Sequence, residues 1–436
     1  CTSVSGIVRW KRGDNVRKRP FDPASGSFFI GQHCETVFME IQATLPERGR
    51  DLRLDFFRGI ANWWIFLDHI PNNVINWATP RNYGFSDAAD LFVFISGYTA
   101  SFVYAKMMLD RGFIVGSTRL WKRVWQLYVA HVILFVIYIA AIGWVALRYA
   151  DPDIINEFNV AVVVDNPIQT LTQGLLLRFK PVNLDVLPLY IILMGFFPPV
   201  LWLMLRKPDM VMIASLVLYF AARQFGWNFS AYPVGSWYFN PYTWQLLFVF
   251  GAWFALGGAI ESRSVIKSQW LLIAGSIYLV FALIMSMAGR FESFGALFPR
   301  WLYDAFNPND KTFLAPYRVI HFVVIAFFIT RFIPKDWKPL ESKWAEPVIK
   351  CGQQSLQVFC VGIFLSFVAH FVLMLSWGTV WAQLGVSIVG VAILTAVAYY
   401  GSWSKKQDKP SARTPKAPTP APASTPAPQA SPAPGA

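Results

Sequence analysis

The chain has 436 residues, of which 55% are apolar and 17% aromatic but only 14% charged, with a mean hydropathy of +0.41. A soluble domain carries about a quarter charged residues, so this composition excludes an ordinary soluble protein. The net charge of +13 is no sign of nucleic acid, because the cations sit mostly in short loops flanking apolar runs, where they set membrane orientation.

Residues 1–53 form a polar, basic leader without a cleavable signal segment. The start at Cys1 reads as a truncated or misassigned beginning. Four cysteines (Cys1, Cys34, Cys351, Cys360) show neither a CxxC pair nor ligand spacing. A span needs about 20 apolar residues. Ten candidates follow, near 56–72, 88–108, 124–147, 187–205, 209–224, 243–260, 269–289, 314–333, 355–376 and 380–402. Between the third and fourth, a longer stretch is expected to hold an interfacial or re-entrant helix around Ile168–Leu177. Lys106, Arg111, Arg119, Lys122 and Arg123 occupy one loop, Arg206 and Lys207 the next on that side, whereas 225–241 has no cation. The positive-inside rule then places both termini in the cytoplasm. The expected fold is therefore an all-α polytopic bundle of about ten spans over residues 54–403. From 404 to 436 a Pro/Ala-rich tail cannot bury apolar surface and reads as disordered.

Charges inside spans are costly and need a reason. The first candidate span holds Asp55, Arg58, Asn62, Asp68 and His69 in DLRLDFFRGIANWWIFLDHIP. Arg58 and His69 are eleven steps apart, three turns plus about 20°, so they share a face about 16 Å apart along the axis. Asp55 and Arg58 are spaced for an ion pair. Snorkelling at the membrane edges is the plainer reading of the same residues. In the second span, SDAADLFVFISGY, Gly97 permits close approach to the first. Asp90 there reads either as a helix cap or as the carboxylate that orients His69.

Further along, His131 and His370 read as interhelical hydrogen bonders. The loop GWNFSAYPVGSWYFNPY offers Trp237 and other aromatic faces either to sugar rings or to the membrane interface. Arg318 and His321 share a face one turn apart, as an interhelical contact or a substrate site, and Asp310 and Lys311 read as helix-capping. No metal-ligand cluster, P-loop or dinucleotide glycine pattern appears.

Five pieces in order carry a resemblance: RLDFFRGIANWWIFLDH with DAADLFVFISGYTAS, then NPYTWQLLFVFGAWFA, DKTFLAPYRVIHF and GQQSLQVFCVGIF. Together they resemble the OpgC branch of the membrane acyltransferase-3 superfamily, the succinyltransferases of osmoregulated periplasmic glucans, over roughly residues 50–400. The resemblance implies an enzyme of the bacterial inner membrane. It would move succinyl from succinyl-CoA, a donor substrate and not a resident cofactor, to hydroxyls of a periplasmic glucan. On that basis His69, with Asp68 and Asp90, forms the catalytic set. Arg58, Arg318, His321 and Trp237 would bind donor or glycan. Two readings stay open beside it: an O-acetyltransferase of another surface polysaccharide, and a non-enzymatic glycan transporter or flippase. No inverted repeat supports transport.

Overall fold

A computed structural model describes residue 43 and residues 51–149, 156–258 and 263–407. The basic leader, apart from Ala43 and its last three residues, and the tail beyond Gln407 lie outside the described residues. Among those residues the secondary structure is helical, with one isolated antiparallel bridge between Ser230 and Ser236.

Every one of the ten apolar segments is helical. They are α1 (Leu52–Asp68), α2 (Ala88–Arg111), α3 (Phe113–Tyr149), α5 (Val186–Met204), α6 (Pro208–Phe225) and α7 (Pro241–Trp253), followed by α8 (Gln269–Arg290), α9 (Pro316–Phe332), α11 (Ser355–Leu375) and α12 (Val380–Gln407). Among the shorter helices between them are α4 (Pro167–Leu175) and α10 (Glu346–Gln353). Among the described residues, six helices are long and apolar enough to cross a membrane: α2, α3, α5, α8, α11 and α12. The others are shorter or more charged. α1 has 17 residues with Asp, Arg and Asn inside it, and α7 has 13. The last apolar segment runs past its expected end to Gln407, with Trp403, Lys405 and Lys406 still helical.

The expected segment around Ile168–Leu177 is α4, and it runs back along α3. Phe158 packs against Tyr138, a methyl on Gly174 would strike Phe135, and the Tyr128 hydroxyl donates to the Leu175 carbonyl. That track covers ten residues of α3, about 15 Å. It has the geometry of a segment folded back on its neighbour.

Glycines set the closest helix contacts. A methyl on Gly59 would land on the Val348 carbonyl, and one on Gly352 would land on the Asp55 carbonyl. α1 and α10 therefore touch backbone to backbone. Gly97 does the same against Phe248 of α7, and Gly251 of α7 against Phe94 of α2. This corrects the expectation that Gly97 faces the first span: its partner is α7, and small residues let the two backbones meet. We expect Gly97→Ala to lower the stability of the detergent-purified protein by about 1–3 kcal/mol, since neither backbone can yield to the methyl. Gly143→Ala, with open space around it, is the control. A thermal unfolding midpoint unchanged in Gly97→Ala would show that the helices are less tightly joined.

Candidate active site

α1 starts because Asp51 caps it, accepting from the Arg53 amide. It ends at His69, whose backbone N–H still reaches the Ile65 carbonyl at 3.1 Å. Since α1 is continuous, the expected register holds and Arg58 and His69 stay on one face. The His69 Nδ1 lies 2.6 Å from the Ile65 carbonyl. A carbonyl only accepts, so Nδ1 carries the proton and Nε2 is left with its lone pair. The ring is half-buried, and Nε2 makes no hydrogen bond to a described residue.

Below it, the Arg58 guanidinium donates to the Thr99 hydroxyl on α2, with the Ile95 carbonyl at 3.4 Å. Asn62 links the Arg58 carbonyl to the Ser355 hydroxyl of α11. Asp55 is buried against α10. The Asp68 carboxylate accepts from the Thr79 hydroxyl at 2.6 Å, and Arg81 donates to its backbone carbonyl. Asp68 thus holds the connection 70–87 over the end of α1. That connection is tied to α12 as well, through Asn73 to Ser387 and the Val74 amide to Gln383.

Asp90 does not orient His69. It sits in the first turn of α2, where its carboxylate accepts from the Asp87 amide in a reciprocal capping box. Its two oxygens also take a two-pronged grip from Arg318 of α9, Nε to Oδ1 at 3.1 Å and Nη2 to Oδ2 at 2.6 Å. Arg318 reaches Asp87 Oδ2 at 2.9 Å and the Phe85 carbonyl at 2.7 Å too. With Arg318 2% exposed and its donors spent on protein, it is a strut between α9 and α2 and has little left for a substrate carboxylate. His321, one turn on, faces the same segment. Its Nδ1 lies 2.7 Å from the Ser86 hydroxyl, and its ring lies over Gly84 so closely that any Cβ there would collide.

Lys311, read from sequence as a helix cap, instead completes this network. Its ammonium is 2.6 Å from Asp87 Oδ2 and about a fifth exposed. The surrounding loop is knitted in place by Asn309 to the Phe85 carbonyl, the Trp244 indole to the Lys311 carbonyl, and the Tyr219 hydroxyl to the Leu314 carbonyl. Asp310 caps no helix either: it accepts from the Phe313 amide in the turn before α9, whose N-cap is Ala315, and pairs with Arg223. Lys311 lies in electrostatic range of His69, Asp68 and Asp185. The end of α1, the start of α2, the loop before α9 and the loop before α5 therefore meet around one polar centre with His69 at its edge. A signal for this was in the sequence: Asp87, Asp90 and Arg318 at or within apolar segments each need an opposite charge nearby.

Trp237 is not an open sugar platform. It is 3% exposed, with the Lys180 ammonium 3.8 Å above its ring and Phe229 edge-on beside it. Tyr238 and Trp227 of the same loop are about half-exposed. The other two histidines among the described residues also depart from expectation. His131 is wholly buried, with neither ring nitrogen hydrogen-bonded. His370 Nε2 lies 3.0 Å from Glu157 but off hydrogen-bonding geometry, and its ring meets Phe158 edge-on. Cys351 and Cys360 are free thiols, the first buried and the second partly so.

The family model described as OpgC protein matches residues 50–406, most of the chain and all the helices above. No curated protein and no solved structure matches.

Proposed function

This chain belongs to the OpgC family, and on that premise we propose that it is an inner-membrane O-acyltransferase that moves succinyl from succinyl-CoA to hydroxyls of a periplasmic glucan. The family supports a glucan-modifying transferase. Six helices long and apolar enough to span support the membrane, and the loop charges support ten spans with both termini cytoplasmic. The observation that carries the chemistry is His69: Nδ1 is committed to the Ile65 carbonyl, so Nε2 is the nitrogen that can accept a proton.

In this reading a sugar hydroxyl, a poor nucleophile at neutral pH, gives its proton to His69 Nε2 as its oxygen attacks the thioester carbonyl. The carbon–sulfur bond then breaks, and the leaving thiolate is protonated by the imidazolium. Lys311, with its ammonium part-exposed in range of His69, favours the negative charge that develops on the carbonyl oxygen. Coenzyme A is cytoplasmic and the glucan lies outside, so the donor reaches along the α1 face from Arg58 with its thioester still intact at His69, and the free thiol withdraws the same way. Arg58 contacts the donor at the inner end. Asp68 and Asp90 act by holding the connection and α2 in place around the base, and Arg318 and His321 fix the loop that carries Lys311.

The test is mass spectrometry of periplasmic glucans from cells lacking the gene and from cells complemented with it. Loss of the succinyl increment on deletion and its return with the wild-type gene is the expected result. A glucan profile unchanged by deletion would reject this substrate.

A further inference from the structure

Beside the polar centre, a second group of polar side chains is buried without partners. The Nε1 of Trp237, both ring nitrogens of His131 and Oε1 of Gln173 are inaccessible and make no hydrogen bond. Buried polar groups are satisfied in the large majority of cases, and three such residues in one place call for an occupant. His131 and Gln173 lie by Phe135 and Phe179, and Trp237 joins them through Lys180, the residue after Phe179. His131 stacks on Phe135, Phe135 meets Phe179 edge-on, and the amides of Arg178 and Phe179 donate to the Gln173 carbonyl.

Lys180 joins them. Its ammonium lies 3.8 Å from the Trp237 ring centroid, and its one hydrogen bond is a long contact of 3.5 Å to the Leu177 carbonyl. No described carboxylate lies within 4.0 Å of it. Asp185 acts on it from farther off, and Lys180 in turn acts on His131 across the space between the loop and α3. Both loop groups feel their burial: it pushes Lys180 down to about 8 and Asp185 up to about 6. A cleft of about 370 Å³ opens beside the indole, lined by Trp237 with Leu177, Arg178, Asn228, Phe229 and Ser230, and Lys180 and His131 lie outside its lining.

We propose that Lys180, Trp237 and His131 form a binding site for a single carboxylate. The chemistry of the set decides the class. One ammonium, one indole N–H and an imidazole N–H all donate, and a half-buried cation with no described carboxylate within 4.0 Å selects an anion. A carboxylate accepts from all three, whereas a neutral hydroxyl leaves the ammonium uncompensated. This inference rests on the acyl-transfer reading only for the source of the carboxylate. It is either the free end of a dicarboxylic acyl group or an acid already carried by the glycan.

Binding is measured first, on detergent-purified full chain, with monomethyl succinate as probe and dimethyl succinate as its uncharged control. Monomethyl succinate raises the thermal unfolding midpoint of wild type. Dimethyl succinate leaves it unchanged, and Lys180→Met and Trp237→Phe each weaken the apparent affinity about tenfold or more, the scale of one charge-assisted hydrogen bond. Trp237→Phe keeps an aromatic face for Lys180 but loses the pyrrole ring with its N–H, so the unfolding midpoint of each variant without probe is the folding control. The affinity also falls as pH rises through about 8, because the lysine loses the charge that holds the anion, and Lys180→Arg moves that fall to higher pH. No shift in wild type, or equal shifts in wild type and Lys180→Met, overturns the site whether or not the protein transfers succinyl.

Transfer assays then assign the source. With neutral glucan, Lys180→Met raises KM for succinyl-CoA and leaves that for acetyl-CoA unchanged if the acyl carboxylate is the ligand. It discriminates between succinylated and neutral glucan instead if the acceptor carries the acid. A wild type that transfers acetyl and succinyl to neither acceptor counts against the proposed function alone, since the binding result stands apart from it.

Discussion

Replacing His69 with glutamine lowers acyl transfer by about 10²–10⁴-fold, the range over which a positioned proton acceptor contributes, with membrane insertion and yield unchanged. The expectation follows from two features. The ring is fixed through Nδ1 to the carbonyl one turn back, so its tautomer needs no carboxylate partner. It is also half-buried at the end of α1, where few packing contacts depend on it. Glutamine can donate to the Ile65 carbonyl through its amide and fills a similar volume, but it has no basic nitrogen. The measurement is succinyl incorporation into glucan by purified protein, with thermal unfolding as the folding control. A variant that is folded and keeps more than about a tenth of the wild-type rate would remove His69 as the base.

Breaking the Asp90–Arg318 pair produces the largest loss of stability. Both side chains are buried, 0% and 2% exposed. Removing either leaves a charge in apolar surroundings, which costs about 3–5 kcal/mol. Arg318→Met strands Asp87 and Asp90 against each other, with Lys311 the one cation still bonded to Asp87. Asp90→Asn leaves Arg318 with Asp87 and is the milder change. The double variant Asp90→Asn, Arg318→Gln is expected to be more stable than Arg318→Met, because neutral partners can hydrogen-bond to each other. Thermal unfolding of the three variants gives the comparison. A double variant no better than Arg318→Met would mean that shape and not charge holds the segments together.

The helices were legible because their signal is local. Apolar runs of sufficient length mark themselves, and all ten became helices within a few residues of their expected edges, apart from α3, which begins well before residue 124, and α7, which ends at Trp253, short of residue 260. The shared face of Arg58 and His69 was legible for the same reason, since eleven steps of a regular helix need no tertiary information. The pairings were not. Asp90 and Arg318 are 228 positions apart, and periodicity says nothing about which buried charge meets which. Gly97 announced a close contact but not its partner, because a glycine carries no side chain that would distinguish α7 from α1. Trp237 misled for another reason. Aromatic density in a loop looks alike whether the rings face sugar, lipid or, as with this indole, a lysine beneath the surface.

The glycine seams bear on how the protein is made. α1 and α2 leave the ribosome before α7, α9 and α10, and carry His69 and Asp90, but find their backbone partners in residues 346–353 and 241–253, and Asp90 finds its arginine at 318. Until those later segments are synthesised and inserted, the nascent N-terminal pair holds an uncompensated carboxylate and two notched faces open to lipid. Such a half-made chain is a natural substrate for membrane insertases and quality-control proteases. The polar centre closes only once α9 has been made.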